Sequence, residues 1–190
     1  MSTMTRWTSA DLKSLPDDGN RYEIIDGELY TSKQPHWYHQ FVCSKLVFNL
    51  ERWNEEARLG EVAIAPGLIF ADDDDVAPDV IWISNDRLAH ALKPDGKLHD
   101  APELVIEVLS PGSANERRDR EAKLQLYSRR GVSEYWIVNW MLRCTDVYRR
   151  DQAQLHHIAT LSEDDNLESP LLPVFSCSVA SLFERIPTNL

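Results

Sequence analysis

The chain has 190 residues, a length that fits one domain with a single hydrophobic core. Its composition is 43% hydrophobic and 27% charged, which excludes a collagen-like, coiled-coil or wholly disordered protein. Acidic residues outnumber basic ones by 31 to 20, so the formal charge is -11. This charge disfavours a broad contact with nucleic acid or anionic lipid, and any contact with DNA therefore has to be local.

Cysteine usage and hydropathy bear on the compartment. Cys43, Cys144 and Cys177 are far apart and form no C-x-x-C pair, which predicts neither a disulfide framework nor a structural zinc site. The N-terminus has no apolar signal region, and no later segment approaches the ~20 apolar residues that cross a bilayer. We therefore expect a cytoplasmic protein without a membrane segment.

The N-terminal residues 1–20 are predicted to form a short helix and a turn, followed by a single domain over residues 21–190. Thr8 and Asp11 have the spacing of a helix capping box. A hairpin opens the domain, because Asp26-Gly27 is a preferred two-residue turn between two strands.

The next segment, residues 37–58, is predicted to be the longest amphipathic helix. Its apolar residues recur at intervals of three and four, at Phe41, Val42, Leu46, Leu50 and Trp53. Strands are predicted over residues 61–65 and 67–71, then an acidic turn at residues 72–75, then a strand over residues 80–83.

A strand-helix-strand unit follows a polar stretch at residues 84–100. The apolar run at residues 103–109 predicts a buried central strand, and residues 116–130 predict a helix that Gly131 ends. Residues 134–139 predict the next strand, so a parallel pair is expected. Two edge strands and a short terminal helix complete the chain, at residues 144–148, 155–159 and 179–185. The sequence predicts an α/β fold in which helices flank a central mixed sheet.

Glu107 is an anomaly, because it lies inside the most apolar strand. A buried carboxylate costs several kcal/mol unless it is paired or binds a cation. Asp79 begins another strand after Pro78, and a divalent metal between two such acids would remove both their burial cost and their mutual repulsion. In the alternative interpretation, Glu107 pairs with an arginine such as Arg120 or faces solvent from an edge strand.

The helix after this strand places Asp119, Lys123 and Tyr127 four residues apart on one stripe. A lysine beside a metal site can orient water and stabilise charge that develops on a phosphate. The alternative is an ordinary helix pair on a solvated surface. Residues 116–130 also hold six basic and three acidic side chains, which is consistent with a phosphate-contacting face or with ordinary surface.

Other candidate residues are ambiguous on local sequence alone. Glu23 in the first strand could supply a further carboxylate or be a hairpin surface residue. His39 opens the long helix and could touch substrate, although no H-E-x-x-H pattern is present. The chain also lacks the glycine-rich loops of P-loop and Rossmann enzymes and the G-x-S-x-G of α/β-hydrolases.

Several segments together resemble the Uma-two family of restriction-endonuclease-like proteins, part of the PD-(D/E)XK nuclease superfamily. The resemblance spans about residues 22–139 and continues weakly beyond them. It rests on Tyr22-Glu23-Ile24-Ile25-Asp26-Gly27-Glu28-Leu29, His39, Ala77-Pro78-Asp79-Val80, Glu103 to Pro111, Asp119 with Lys123 and Tyr127, and Gly131 to Val138.

The resemblance implies a restriction-endonuclease-like core with a Mg²⁺ or Mn²⁺ site. Asp79, Glu107 and the carbonyl of Val108 would hold the metal, and Glu23 would join them. The superfamily lysine usually lies two residues after the second acid, where this chain has Leu109. The resemblance instead places the lysine on the following helix, at Lys123.

The implied activity is metal-dependent hydrolysis of DNA phosphodiester bonds by a homodimer. Tyr127, His39 and Arg120 are the residues expected at the substrate. Two alternatives remain: a binding or scaffold protein that keeps the nuclease fold without activity, and a hydrolase of another phosphate ester.

Overall fold

The computed structural model describes residues 6–187 and shows helices on both sides of a central sheet. The first five residues of the predicted N-terminal segment lie outside this range. The strands are β1 (Arg21–Ile25), β2 (Glu28–Ser32), β3 (Gly60–Ile64), β4 (Leu68–Ala71), β5 (Asp74–Val76), β6 (Val80–Ser84), β7 (Leu104–Val108), β8 (Glu134–Asn139), β9 (Cys144–Asp151), β10 (Gln154–Leu161), β11 (Asn166–Glu168) and β12 (Ser176–Ser178). The helices are α1 (Ser9–Leu12), α2 (Trp37–Ala57), α3 (Asn85–Ala91), α4 (Ser113–Arg117), α5 (Leu124–Arg130) and α6 (Val179–Phe183).

The central sheet has six strands in the order β10-β9-β8-β7-β6-β3. β7 and β8 are parallel, and the other neighbouring strands are antiparallel. The parallel pair confirms the predicted crossover, in which the chain between β7 and β8 is helical. Gly131 ends that helix with a positive φ of 93°, a conformation that glycine adopts without steric cost.

Each face of the central sheet has its own hydrophobic core. Because side chains alternate along a strand, Leu104, Ile106 and Val108 of β7 pack into one core. Val105 packs into the other, on the side that also carries Glu107 and α5. The first core is closed by the apolar stripe of α2, which includes Val42, Leu46 and Leu50.

The N-terminal strands form a second, antiparallel sheet in the order β2-β1-β5-β4. The predicted hairpin turn is confirmed, since Asp26 and Gly27 both have positive φ, at 53° and 74°. Ile25, Leu68 and Val76 from this sheet pack into the second core. The second sheet thus covers the same side of the central sheet as Glu107.

The predicted acidic turn is wrong in its second half. Asp74 and Asp75 belong to β5 and are only 1% and 5% exposed. Asp74 accepts hydrogen bonds from the guanidinium groups of Arg129 and Arg130 and from the backbone N–H of Asp26. These partners compensate the burial of its charge, which local sequence could not reveal.

Two helical segments also differ from the prediction. The polar stretch at residues 84–100 contains α3. The predicted helix at residues 116–130 starts earlier, at Ser113, and is interrupted by a π-helical turn, Arg118–Lys123, between α4 and α5. Within the described range, none of the helices has the length and apolar character needed to cross a bilayer.

The two halves of the acidic tract provide a matched test of this arrangement. Asp74→Ala should lower the free energy of unfolding by about 2–4 kcal/mol, because it removes a buried carboxylate and leaves two guanidinium groups without their partner. Asp72 is exposed, so Asp72→Ala should change stability by less than about 0.5 kcal/mol. Urea unfolding of both variants measures the difference, and equal effects would contradict the structural role of Asp74.

Candidate functional site

Glu107 and Lys123 form the centre of a buried polar cluster. Lys123 Nζ lies 2.8 Å from Glu107 Oε1, and both residues are 1% exposed. Tyr127 donates its hydroxyl to the same oxygen, also at 2.8 Å. The predicted stripe on the helix is therefore directed at the sheet, and the solvated-surface interpretation of Lys123 is wrong. Glu107 pairs with this lysine, and Arg120 bonds to Asp146 instead.

Glu23 brings the second sheet into the cluster. Its Oε1 atom lies 3.0 Å from Lys123 Nζ and accepts a hydrogen bond of 2.9 Å from the backbone N–H of Ala77. Arg118 approaches the other oxygen, with its Nη1 atom 3.9 Å from Glu23 Oε2. Glu23 is 1% exposed. Of the two interpretations that the sequence left open, the structure shows the residue inside the cluster.

Asp79 is held immediately before β6 by partners from three different segments. Its Oδ2 atom accepts a bond of 2.9 Å from the backbone N–H of Val108 and lies 3.1 Å from His39 Nε2. Arg21 Nη1 lies 3.4 Å from Oδ1. Val108 contacts Asp79 through its amide, so the metal-ligand role of its carbonyl stays a prediction.

A π-helical turn positions the lysine. This turn closes wider hydrogen-bonded rings than an α-helix and commonly marks functional sites. Tyr135, in β8, donates its hydroxyl to the backbone carbonyl of Asp119 inside the turn, at 3.0 Å. Lys123 is the last residue of the turn, and Tyr127 follows one α-helical turn later. The π turn was not predicted, because a periodicity of three and four residues gives no signal for it.

The cluster contains more negative than positive groups. Its buried carboxylates, each 8% exposed or less, are Glu23, Asp79, Glu107 and Asp119. Its cations are Lys123, Arg118 and the partly exposed Arg21. With every carboxylate, lysine and arginine ionised, four negative charges meet three positive ones, and His39 beside Asp79 adds a fourth positive charge when it is protonated.

The cost of burying these carboxylates is visible in their ionisation. Burial raises the pKa of Glu107 from 4.5 to about 8, since the repulsion by Asp79, Asp119 and Glu23 adds to the desolvation that Lys123 opposes. Burial also raises the pKa of Asp119 above its ordinary value, although Lys123 opposes the shift. Burial works against the charge of Lys123, but Glu107 and Glu23 raise the pKa of its ammonium group. Lys123 therefore stays charged, and Glu107 is the acid that is protonated at neutral pH.

The other two acids keep their charge. Burial opposes the ionisation of Asp79, but the hydrogen bond from His39 and the charge of Lys123 lower its pKa. Burial likewise opposes the charge of Glu23, and the nearby Lys123 and Arg21 more than offset it, so its pKa is also lowered.

The donor set fits a hard divalent cation. Both hydrogen bonds to Glu107 end on Oε1, and within residues 6–187 no donor bonds to its Oε2. Asp79 uses Oδ2 for its two short contacts and leaves Oδ1 with the longer contact to Arg21. Each acid therefore retains an oxygen for a cation that prefers oxygen ligands, and such a cation would offset the charge of the buried carboxylates.

A neighbouring trio has a different arrangement. Ligand atoms of His39, Cys43 and Asp79 lie within 4.8 Å of one another. The two short contacts use different ring nitrogens, with Nε2 toward Asp79 and Nδ1 3.7 Å from Cys43 Sγ. An ion bound by this trio would take one ring nitrogen and displace the contact that this nitrogen now makes. His39 is better described as a bridge that fixes the carboxylate of Asp79.

The residues predicted to touch substrate are buried or paired with other residues. Tyr127 is fully buried and bonds to Glu107, and His39 is 5% exposed and contacts Asp79. Arg120 lies on the outer side and forms an ion pair of 2.6 Å with Asp146. Of the six cations counted in residues 116–130, five form ion pairs with acids in the described structure, and the face is therefore not a free basic surface. The roles of these residues toward substrate stay predictions.

Sequence reasoning missed four contributors. Arg118, Arg21, Tyr135 and the backbone amide of Ala77 all support the acids or the lysine. Ala77 lies in the Ala77-Pro78-Asp79 segment on which the family resemblance partly rests, so the sequence did indicate that Ala77 lies near the acid Asp79. Arg118 is next to Asp119 and Arg21 is two residues before Glu23, but the contacts of Arg118 with Glu23 and of Arg21 with Asp79 join distant parts of the chain and had no local signal.

The fold and the acid-lysine cluster define a restriction-endonuclease-like α/β protein. The model of the Uma2 (Uma-two) family, described as "Putative restriction endonuclease", matches residues 9–180, and the chain belongs to this family. Both the fold class and the family resemblance found in the sequence are confirmed.

One solved structure agrees on the fold. A crystal structure titled as a "putative nuclease belonging to DUF820" from Anabaena variabilis superposes with a TM-score of 0.73 at 18% identity, covering 93% of this chain and 97% of that chain. The type IIG restriction endonuclease BpuSI gives a TM-score of 0.41 at 17% identity, over 78% of this chain and 15% of that chain. No match is found among curated proteins.

Removing the lysine charge should destabilise the protein. Lys123→Met should cost about 3–5 kcal/mol of unfolding free energy, because the charged Glu23 loses its buried counter-charge and Glu107 loses a buried hydrogen-bond donor. Adding Glu107→Gln to this variant should recover part of the loss. Chemical denaturation measures both, with the exposed Lys33→Met as the control. A double variant no more stable than the single one would contradict the coupling.

The raised pKa of Glu107 predicts a pH dependence in metal-free protein. The folded state holds a proton on this group up to a pH of about 8, whereas the unfolded chain releases it near 4.5. Stability should therefore fall as the pH rises through this window, because the unfolded state binds fewer protons there. Glu107→Gln should remove this part of the slope. Urea unfolding in EDTA at several pH values provides the test, and equal slopes in the two proteins would contradict the shift.

Proposed function

We propose that the protein is an endonuclease that hydrolyses DNA phosphodiester bonds with Mg²⁺ or Mn²⁺ bound at Asp79 and Glu107. The observation that carries this proposal is the convergence of Asp79, Glu107, Glu23 and Lys123 on one buried cluster. The acids come from different strands and the lysine from a helix, so the cluster exists only in the folded protein. Membership of the Uma2 family supports the same activity.

A divalent cation at this position would activate water and screen the negative charge of a phosphodiester. Asp79 offers Oδ1 and Glu107 offers Oε2 for binding, since their other oxygens are engaged. Glu23 lies on the far side of Lys123 and holds the ammonium group in place.

Lys123 is suited to place a nucleophile. An ammonium group has three donors, and two of them are directed at Glu107 and Glu23. The third approaches Asp119 only at 4.0 Å, which is beyond a hydrogen bond. Lys123 therefore keeps one N–H for an oxygen in the cleft, where it can orient water and stabilise charge on a phosphate.

DNA has to approach from the side of Asp79. Glu107, Glu23 and Lys123 are each 1% exposed, whereas Asp79 is 8% exposed and the side chain of Arg21 is 35% exposed. Arg21 thus presents a cation to a phosphate at the most open part of the cluster. A contact confined to this region agrees with the overall charge of -11, which disfavours a broad DNA interface.

The activity can be tested by plasmid nicking in Mg²⁺ or Mn²⁺. Asp79→Asn and Lys123→Met should each lower the rate by about 10²–10³-fold, because one removes a charged ligand and the other the ammonium group. Asp72→Asn, at an exposed position of the acidic tract, should retain the wild-type rate. Circular dichroism checks that the variants are folded, and nicking by all four proteins at one rate would refute the assignment.

The rival function is a nuclease fold that binds DNA or another partner without cleavage. The burial of the cluster favours this rival function, because Glu107 is only 1% exposed. Thermal unfolding separates the two functions. Millimolar Mn²⁺ should raise the melting temperature of the wild type and leave that of Asp79→Asn almost unchanged. An unchanged wild type, together with a more stable Glu107→Gln, would favour a cluster that binds no metal.

The resemblance to the family also led us to expect a homodimer, and we keep this expectation as part of the proposal. Its surface is not specified by the resemblance. The outer face of α2 supplies a candidate.

A further inference from the structure

The outer face of α2 carries large apolar side chains in water. Trp37 is 76% exposed and Phe48 is 59% exposed. They are eleven residues apart, which is about three helical turns, so both lie on one stripe of the helix. The opposite stripe packs on the sheet. Leu59, two residues after the helix ends, is a further exposed apolar residue, at 44%.

Two cations lie over aromatic rings of this same face. Lys45 Nζ is 5.7 Å from the centroid of Phe41, and Arg52 Cζ is 5.6 Å from the centroid of Phe48. Glu51 and Glu55 lie on the same side of the helix. The outer α2 face, as used below, consists of Trp37, Phe41, Ser44, Lys45, Phe48, Glu51, Arg52 and Glu55, of which Phe41 is only partly exposed because it also packs against the first core. Its two cations and two acids cancel, although the chain as a whole carries -11.

We propose that two copies of the chain pair through their outer α2 faces, with the helices antiparallel and Phe48 on the two-fold axis. In this register, residues at equal distances before and after Phe48 meet across the axis. Lys45, three residues before it, meets Glu51 of the second copy, three residues after it. The two Phe48 rings meet each other at the axis.

The rest of the face follows the same register. Phe41 meets Glu55 of the second copy, one helical turn from Lys45, so each lysine lies between two acids of its neighbour. Ser44, a small residue, meets Arg52 and leaves room for its side chain. A two-fold pair makes each of these contacts twice, because an isologous interface uses the same surface on both copies.

Charge excludes the parallel alternative and favours self-pairing. Parallel helices in register would place Lys45 against Lys45 and Glu51 against Glu51, and like charges in contact repel. Two copies that each carry -11 repel generally. The neutral outer α2 face is therefore a place where two copies can approach. When the second helix runs in the reverse direction, Lys45 of each copy lies opposite Glu51 of the other.

A strained apolar residue flanks this face. Val174 is 99% exposed and has a φ of 59°, a left-handed conformation that is unusual for a β-branched residue. It borders a groove of about 470 Å³ that Arg52, Trp53 and Phe175 also line. The apolar surface thus extends beyond the helix on the Arg52 side, and a second copy seated on α2 would cover it.

The pairing is independent of the proposed catalysis. Lys45, Phe48 and Glu51 face outward, whereas His39 on the inner side of the same helix contacts Asp79. Breaking the pair should therefore leave each acid-lysine cluster intact. The prediction of a dimer and the prediction of DNA nicking are tested by different measurements, so either one can be refuted without the other.

Sedimentation analysis of charge-swapped variants tests both the surface and the register. The wild type should be a dimer. Lys45→Glu and Glu51→Lys should each weaken it at least tenfold, since each places like charges across the axis, and the double variant Lys45→Glu/Glu51→Lys should restore it. Phe48→Asp should give a monomer. Leu142→Asp, at a 73% exposed apolar residue on another part of the surface, should remain a dimer.

Three outcomes would overturn the proposal: a monomeric wild type, a dimer that persists in Phe48→Asp, or a double charge swap no stronger than either single one. Rescue by the double swap supports the antiparallel register specifically, because a third protein bound to this face would not produce it. If the wild type cleaves DNA, Phe48→Asp should cleave at the same rate per protomer.

Discussion

A single ammonium group holds this site together. Lys123 Nζ lies within 3.0 Å of both Glu107 in the central sheet and Glu23 in the second sheet. Glu23 keeps its charge at 1% exposure because this ammonium group offsets the cost of burial, and Glu107, whose pKa is raised to about 8, accepts a hydrogen bond from the same group. The lysine therefore determines how the second sheet, the central sheet and the helical crossover come together at the cluster.

The same arrangement is expensive to maintain, which is informative about its purpose. Apolar residues of similar size would fill this space at lower cost, since buried charge clusters seldom gain more from attraction than they lose in desolvation. Burial, together with the repulsion by Asp79, Asp119 and Glu23, raises the pKa of Glu107 to about 8. This cost and the free oxygens of Asp79 and Glu107 are part of the support for the proposed cation site.

Much of the site could be predicted from the sequence, because its strongest signals are local. An acid inside an apolar strand identified Glu107, and the Pro-Asp pair before a strand identified Asp79. The interval of four residues placed Lys123 and Tyr127 on one helical face, and both bond to Glu107. The prediction for the acidic tract was wrong in its second half, since Asp74 is buried and bonds to arginines more than fifty residues away along the chain. The contacts of Arg118 with Glu23 and of Arg21 with Asp79 were hidden for the same reason, since they join residues that are distant in the chain.

The amino-acid sequence is sufficient to predict the strand-helix-strand core, the Asp26-Gly27 hairpin and the candidate acids and lysine. These depend on periodicity and on conformational preferences, which act over a few residues. The folded chain is needed to show that Glu23 belongs to the cluster, that a π turn directs Lys123 inward and that the basic helix face is already paired. Those outcomes depend on distances between segments remote in the chain, because electrostatic attraction and desolvation are set by which groups finally lie side by side.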